Sequence, residues 1–309
     1  MQEILILNPL FKERIWGGNQ LERVFGYSIP SDRTGECWGI AAHPHGDCEI
    51  ANGVFKGWTL SEVYDRHREL FGHCPYPRFP LLVKILDART DLSVQVHPDD
   101  SYALEHANDL GKTECWYIID CKPGTTLIYG HHAKTKAELS AMIENHEWDR
   151  LLRKVEIHPG DFFYVPTGTL HALCADTLVL EVQQSSDTTY RVYDYDRVDD
   201  EGKKRPLHLQ EAMEVLTVPH RDPVLTIERT DRAPHVFTRY IKSPFFTVEK
   251  WDIAGTYSHQ PNSFLLMTVL AGQGSVNGIP IQKGHFFIVT SACQSLTLMG
   301  QLELIVTFL

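Results

Sequence analysis

The stretch Gly160-Asp-Phe-Phe-Tyr-Val-Pro166-Thr-Gly168-Thr-Leu-His171 reads as a glycine turn, a strand, a tight turn and a return strand that carries a histidine. Working outward, similar short runs rich in Val, Ile, Thr and aromatics recur along the chain, punctuated by Gly and Pro. They are Leu81–Leu86, Leu92–Val96, Cys115–Ile119, Leu178–Gln184, Phe264–Leu270, His285–Val289 and Leu302–Phe308. Many short strands at regular spacing predict a β-sandwich or barrel rather than a parallel α/β sheet. The stretch also has a faint echo, Gly284-His-Phe-Phe-Ile-Val-Thr290, so two copies of one β-fold are expected. Thr290-Ser-Ala-Cys293 stands where the first copy has Pro-x-Gly-x2-His, so the second copy is expected to be degenerate.

Three segments carry helical periodicity. Thr59 to Phe71 opens with Thr-x-x-Glu, a capping box with Glu62; Thr135 to Leu152 opens the same way with Glu138; Leu207 to Leu216 is shorter. Val218 to Pro234 lacks apolar periodicity and holds three prolines, which places a domain boundary there and divides the chain into 1–218 and 219–309. With 29 Lys and Arg against 40 Asp and Glu the net charge is −11, which argues against a nucleic-acid partner but not against a small anion held by a few local cations. The N-terminus has no signal-peptide pattern and no run is long and apolar enough to span a membrane. Seven cysteines without any C-x-x-C pair predict reduced thiols in a cytoplasmic protein.

Polar residues interrupt the strand runs at chosen places. Gln95 and His97, two apart in Leu92-Ser-Val-Gln-Val-His97, face one way on a strand. Glu114 opens the run that continues Cys-Trp-Tyr-Ile-Ile, and alternation puts Trp116 and Ile118 on its own side. A carboxylate facing a core is costly unless neutralised. Gln95, His97, Glu114 and His171 together supply nitrogen and oxygen donors of the sort that bind Zn²⁺ or another first-row divalent ion.

The Gly160 to His171 motif resembles the second motif of the cupins. More narrowly, Phe11-Lys-Glu-Arg-Ile-Trp-Gly-Gly18, Gly35-Glu-Cys-Trp-Gly39, Val94-Gln-Val-His-Pro98, Lys112-Thr-Glu114, Pro166-x-Gly168-x2-His171 and Ser186-Asp-Thr-Thr-Tyr-Arg191 resemble the type I phosphomannose isomerase family in its short bacterial form. The resemblance implies a mainly β chain of two jelly-roll cupin domains with a few short helices. It implies one Zn²⁺ per chain on Gln95, His97, Glu114 and His171, and catalytic Arg191, Lys112 and Asp187. Lys84, Lys112 and Arg191 would bind the substrate, a small sugar phosphate, in a monomer or homodimer. The implied reaction interconverts mannose 6-phosphate and fructose 6-phosphate through an enediol.

That reaction moves a weakly acidic proton between C1 and C2, which calls for a Lewis acid, a base and a cation for the phosphate. The sequence leaves the base open among Asp187, a desolvated Lys112 and a bound water. It also leaves open how Arg191 and Lys112 divide their work. Lys84, between Val83 and Ile85, reads equally as an edge-strand residue reaching solvent, and Asp187 equally as a turn cap. The competing functions are another metallo-cupin, such as an iron oxygenase, for which Gln95 is the wrong ligand, and a non-catalytic carbohydrate-binding or regulatory cupin.

Overall fold

A computed structural model describes residues 2–199 and 201–309. Two antiparallel sheets face each other in the first part of the chain. One runs, edge to edge, Phe162–Val165, Glu114–Cys121, Thr177–Gln184, Leu81–Ala88, Thr34–Ile40 and Leu10–Gly18. The other runs Leu152–Glu156, Thr126–His131, His171–Leu173, Val94–Val96 and Tyr190–Tyr193. Between them lies an apolar layer drawn from both, including Trp116, Ile118, Leu127, Val165, Leu173 and Val179. Consecutive sequence neighbours are often not sheet neighbours, which is the crossing connection of a jelly roll.

A third sheet is long. Its order is Glu228–Arg232, His235–Lys242, Thr247–His259, Leu296–Phe308, Leu265–Val276, Phe286–Val289, Ile4–Asn8 and Glu49–Ile50. The hydrogen bonding therefore crosses residue 218, because Ile4–Asn8 and Glu49–Ile50 close a sheet built mainly from the end of the chain. The stretch from 216 to 227 forms no helix or strand, as its composition predicts. The sequence echo has a backbone basis: Gly160 and Gly284 both take positive φ, at 95° and 88°, and each feeds a strand, Phe162–Val165 or Phe286–Val289.

The helices are shorter than their periodicity suggests. Thr59 caps Leu60–Arg66 with both halves of the capping box formed, but the helix breaks at His67 and continues as a 3₁₀ turn, Arg68–Phe71. Thr135 caps Lys136–Glu144, after which His146 adopts φ 55° and a short helix, Trp148–Leu151, precedes the strand starting at Leu152. A side chain at positive φ ends a helix. The third segment is helical over Leu209–Val215. Helices Gln20–Phe25 and Asp100–His106 have no counterpart among the three periodic segments. No helix among the described residues is long and apolar enough to cross a membrane.

The two parts of the chain share one core. Cys37, Trp38, Phe71, Phe79 and Leu82 pack in the same cluster as Tyr240, Phe246, Phe264 and Phe286, and the Phe162 and Tyr240 rings stack 4.7 Å apart. At the seam, Gly39 faces the Phe286 ring; a Cβ there would stand 2.1 Å from a ring carbon. Gly39→Ala is therefore expected to destabilise the chain by roughly 1–3 kcal/mol through overpacking. Urea unfolding measures this, and a midpoint unchanged from the parent would refute the tight seam.

Candidate active site

The facing sheets bring His97, Glu114 and His171 together from three separate strand ends. Their ligand atoms lie within 4.8 Å of one another, and all three residues are buried. His171 Nε2 is 3.2 Å from Glu114 Oε1, and His97 Nε2 is 3.5 Å from Oε2. The outward ring nitrogens are fixed: His97 Nδ1 donates to the Thr188 carbonyl at 3.0 Å and His171 Nδ1 to the Thr169 carbonyl at 2.9 Å. A carbonyl only accepts, so Nδ1 carries the proton in each ring. In the neutral rings both Nε2 lone pairs then lie beside the carboxylate, and that of His97 also accepts from Lys112 Nζ at 3.1 Å.

Burial, together with the Lys112 cation, pushes the His97 imidazole pKa well below its usual value. Burial favours the neutral acid at Glu114, but Lys112 and His97 outweigh it and hold the carboxyl well below its usual range. Neither Glu114 oxygen has an aligned hydrogen-bond donor, although Lys112 Nζ is 3.0 Å from Oε2 as an ion pair. Two imidazole lone pairs gathered around a carboxylate, with one ammonium beside them, are a donor set that a divalent cation satisfies, and backbone-oriented histidines are the usual support of a metal ligand set. The donors fit a divalent ion. Gln95 sits opposite His171 in the strand register, with its amide nitrogen 3.5 Å from His171 Nε2. A half-turn of that amide would present its oxygen instead.

Gln95 and Lys112 form one side of a cavity of about 480 Å³. A row of opposed residues, of which Lys84 and Glu181 line the cavity, crosses four neighbouring strands: Trp38 faces Lys84, Lys84 faces Glu181, and Glu181 faces Trp116. Lys84 Nζ is 3.5 Å from Glu181 Oε2, and Trp116 Nε1 donates to Oε1 at 3.0 Å. Lys84 is thus on a central strand and 3% exposed, which removes the edge-strand alternative. Arg14 grips Glu36 with two bonds of 2.9 and 3.1 Å, and Trp38 Nε1 donates to the same carboxylate at 2.6 Å.

Arg191 lies directly opposite Gln95 on the adjacent strand and lines the cavity. Its Nε donates to Ser93 Oγ at 3.3 Å and its Nη1 to the Pro206 carbonyl at 2.8 Å. Two other arginines in the cavity, Arg14 and Arg205, are tied to Glu36 and Asp194; Arg191 has neutral hydrogen-bond partners. Asp187 also lines the cavity, with Oδ2 3.1 Å from His45 Nδ1. Burial would raise its pKa, but Lys84 and Lys112 bring it below the usual value, so it is ionised near neutrality.

Glu181, Glu36 and Arg14 have no site role assigned from the sequence, although Arg14 and Glu36 fall inside the motifs that carry the family resemblance. The signal at Glu181 was available, since a Glu within Leu178-Val-Leu-Glu-Val is as anomalous as Lys84 in its own strand. Asp109 had no such signal. It accepts from Ser186 Oγ at 2.7 Å, Thr188 Oγ1 at 2.8 Å and the Asp187 amide at 3.2 Å, and pairs with Arg78. It pins the segment that presents Asp187 and the Thr188 carbonyl behind His97. Against burial, these bonds lower its pKa from 3.8 to about 2. A carboxyl depressed in the fold stabilises fully above its unfolded pKa and loses that stabilisation as pH falls through the folded value. Asp109→Asn should therefore cost about 1–2 kcal/mol near neutral pH, the gap closing between roughly pH 4 and pH 2. Urea unfolding of metal-stripped protein across that range tests it; a gap independent of pH would contradict it.

Facing β-sheets with an imidazole–carboxylate–imidazole cluster inside define a metal-capable cupin. Family models for the phosphomannose isomerase type I catalytic domain and the mannose-6-phosphate isomerase cupin domain match residues 4–123 and 237–309. The chain is 51% identical to mannose-6-phosphate isomerase ManA of Bacillus subtilis over 99% of both chains. It is 49% identical to mannose-6-phosphate isomerase of Streptococcus mutans over 99% of this chain and 98% of that one. The crystal structure of a Bacillus subtilis mannose 6-phosphate isomerase aligns over the whole of both chains at 49% identity with a TM-score of 0.98. The chain belongs to the type I phosphomannose isomerase family. A phosphomannose isomerase of Salmonella typhimurium, at 14% identity and TM-score 0.81, shares the fold.

Proposed function

We propose that this protein is a metal-dependent aldose–ketose isomerase that interconverts mannose 6-phosphate and fructose 6-phosphate through an enediol. The observation that carries the reading is the convergence of two histidine Nε2 atoms on the buried carboxylate of Glu114, beside a cavity in which Arg191 has no carboxylate partner among the described residues. His97, Glu114 and His171, with Gln95 as a fourth donor, would hold one Zn²⁺, an ion suited to mixed nitrogen and oxygen ligands. When bound, the ion would supply Lewis acidity for the charge that develops on the sugar's oxygens.

The chain's own groups do the rest. Arg191 offers a planar donor fork to the anionic substrate. Lys112, 3.0 Å from Glu114 and lining the cavity, is placed to stabilise negative charge on the enediolate. Glu36 is committed to Arg14 and Trp38, and Glu181 to Trp116 and Lys84. Asp187 is ionised, reaches the cavity and among the described residues has only His45 as a partner of its carboxylate, so it is the group we assign to carry the proton between C1 and C2. The catalytic work belongs to the unit 1–218, and the unit 219–309 packs against it. All seven cysteines are free, in keeping with a reducing cytoplasm.

The test is a coupled assay on metal-reconstituted protein with metal content measured in parallel. Turnover of mannose 6-phosphate with solvent deuterium entering the transferred position supports the enediol route. Metal-replete protein that leaves mannose 6-phosphate unchanged overturns it.

A further inference from the structure

We propose that the cavity beside strands His235–Lys242 and Thr247–His259 of the third sheet is a second binding site, for an unphosphorylated hexose or short oligosaccharide. The proposal does not depend on the metal-site reading. Along Thr247–His259 alternate residues share a face, which puts Glu249, Trp251, Tyr257 and His259 on one side, and Phe237 stands opposite Trp251 on the next strand. Their rings gather into a cup. Phe237 lies 5.6 Å from Trp251 and 4.9 Å from Tyr257, and Trp251 lies 5.1 Å from His259. A closed core would bury all of them. Trp251 is buried as the floor, while Phe237, Tyr257 and His259 stay partly exposed around a cavity of about 410 Å³. That volume is within the usual range for small-molecule sites, about 300–1,000 Å³.

The charges decide which small molecule. Two arginines and two glutamates line the cavity, and Arg239 is held by Glu249 at 2.9 Å and Glu228 at 2.8 Å. Trp251 Nε1 donates to the other Glu249 oxygen at 2.8 Å, and Arg232 lies 5.7 Å over the Phe237 ring. A cationic ligand meets Arg232 and Arg239, and an anionic one meets Glu228 and Glu249. A neutral ring with many hydroxyls meets neither objection. Its C–H face lies on the aromatic rings, and its hydroxyls find donors in Arg232 and Asn262 and an acceptor in Glu249. The first cavity, where Arg191 has neutral hydrogen-bond partners, is suited to the phosphorylated sugar; this one sets two arginines against two glutamates and is suited to the sugar without phosphate.

The experiment is saturation-transfer NMR and calorimetry on the full, metal-loaded chain with D-mannose and mannobiose. An excess of the mannose 6-phosphate and fructose 6-phosphate mixture keeps the first cavity filled. Binding should persist under that excess and in His97→Ala. Tyr257→Ala should weaken it at least about tenfold, while kcat/KM for mannose 6-phosphate stays within about twofold of the parent. Arg232→Met, at the exposed rim, should weaken it as well, which guards against a folding defect in the first variant. Binding lost under sugar-phosphate excess, binding unchanged in both variants, no binding of either sugar at millimolar concentration, or preference for a quaternary ammonium probe would each overturn the proposal.

Discussion

His97→Ala should strip the protein of its ion and lower kcat/KM for mannose 6-phosphate by on the order of a thousandfold or more, equivalent to about 4 kcal/mol. The size follows from the geometry. His97 is 1% exposed, its Nδ1 is locked to the Thr188 carbonyl, and its Nε2 is one of only two imidazole nitrogens directed at Glu114. No other histidine, cysteine or acid among the described residues joins that group, so nothing can substitute. A readout besides activity is available. Added Zn²⁺ should raise the unfolding midpoint of the parent, because a ligand that binds only the folded chain stabilises it by mass action, and should leave that of His97→Ala unmoved. Parent-level turnover in protein shown to be metal-free would eliminate the metal reading altogether.

Arg191→Ala should cost roughly 2–4 kcal/mol of transition-state stabilisation, comparable to losing an oxyanion donor. Arg191→Lys should fall between, because it retains charge and loses the two-pronged donor geometry. Arg14 and Arg205 also line the cavity, yet each is already engaged by a carboxylate, Glu36 or Asp194, and has less to offer an incoming anion. Among the described residues the Arg191 guanidinium donates to Ser93 Oγ and the Pro206 carbonyl, both neutral, which leaves its charge more available to an incoming anion. Metal content should be unchanged in both variants, since Arg191 is not a ligand. Rates equal to the parent's in Arg191→Ala, measured at sub-saturating substrate, would rule out this role.

The sequence by itself determined a good deal. Period-two runs and glycine turns sufficed for a mainly β fold in two similar parts, because strand alternation is a local property of the chain. Polar residues inside those runs exposed the candidate ligands, because an unpaired donor or carboxylate in a core is costly and therefore conspicuous. The same logic would have reached Glu181. Tertiary structure alone decided the rest. Strand Ile4–Asn8 pairs with Phe286–Val289 at the far end of the chain, and no local pattern encodes a partner that distant. The helix predicted to run from Thr135 to Leu152 is broken at His146, where a single residue at positive φ redirects the chain into the strand at Leu152. Asp109 lies on a polar loop and reads as surface, and only its contacts with Ser186, Thr188 and Arg78 make it the support behind His97 and Asp187. Which arginine is free for substrate is likewise a question of pairing across the fold. Burial leaves a trace in sequence as hydrophobic pattern, whereas the partner of a given charge is set by three-dimensional proximity, which sequence spacing does not record.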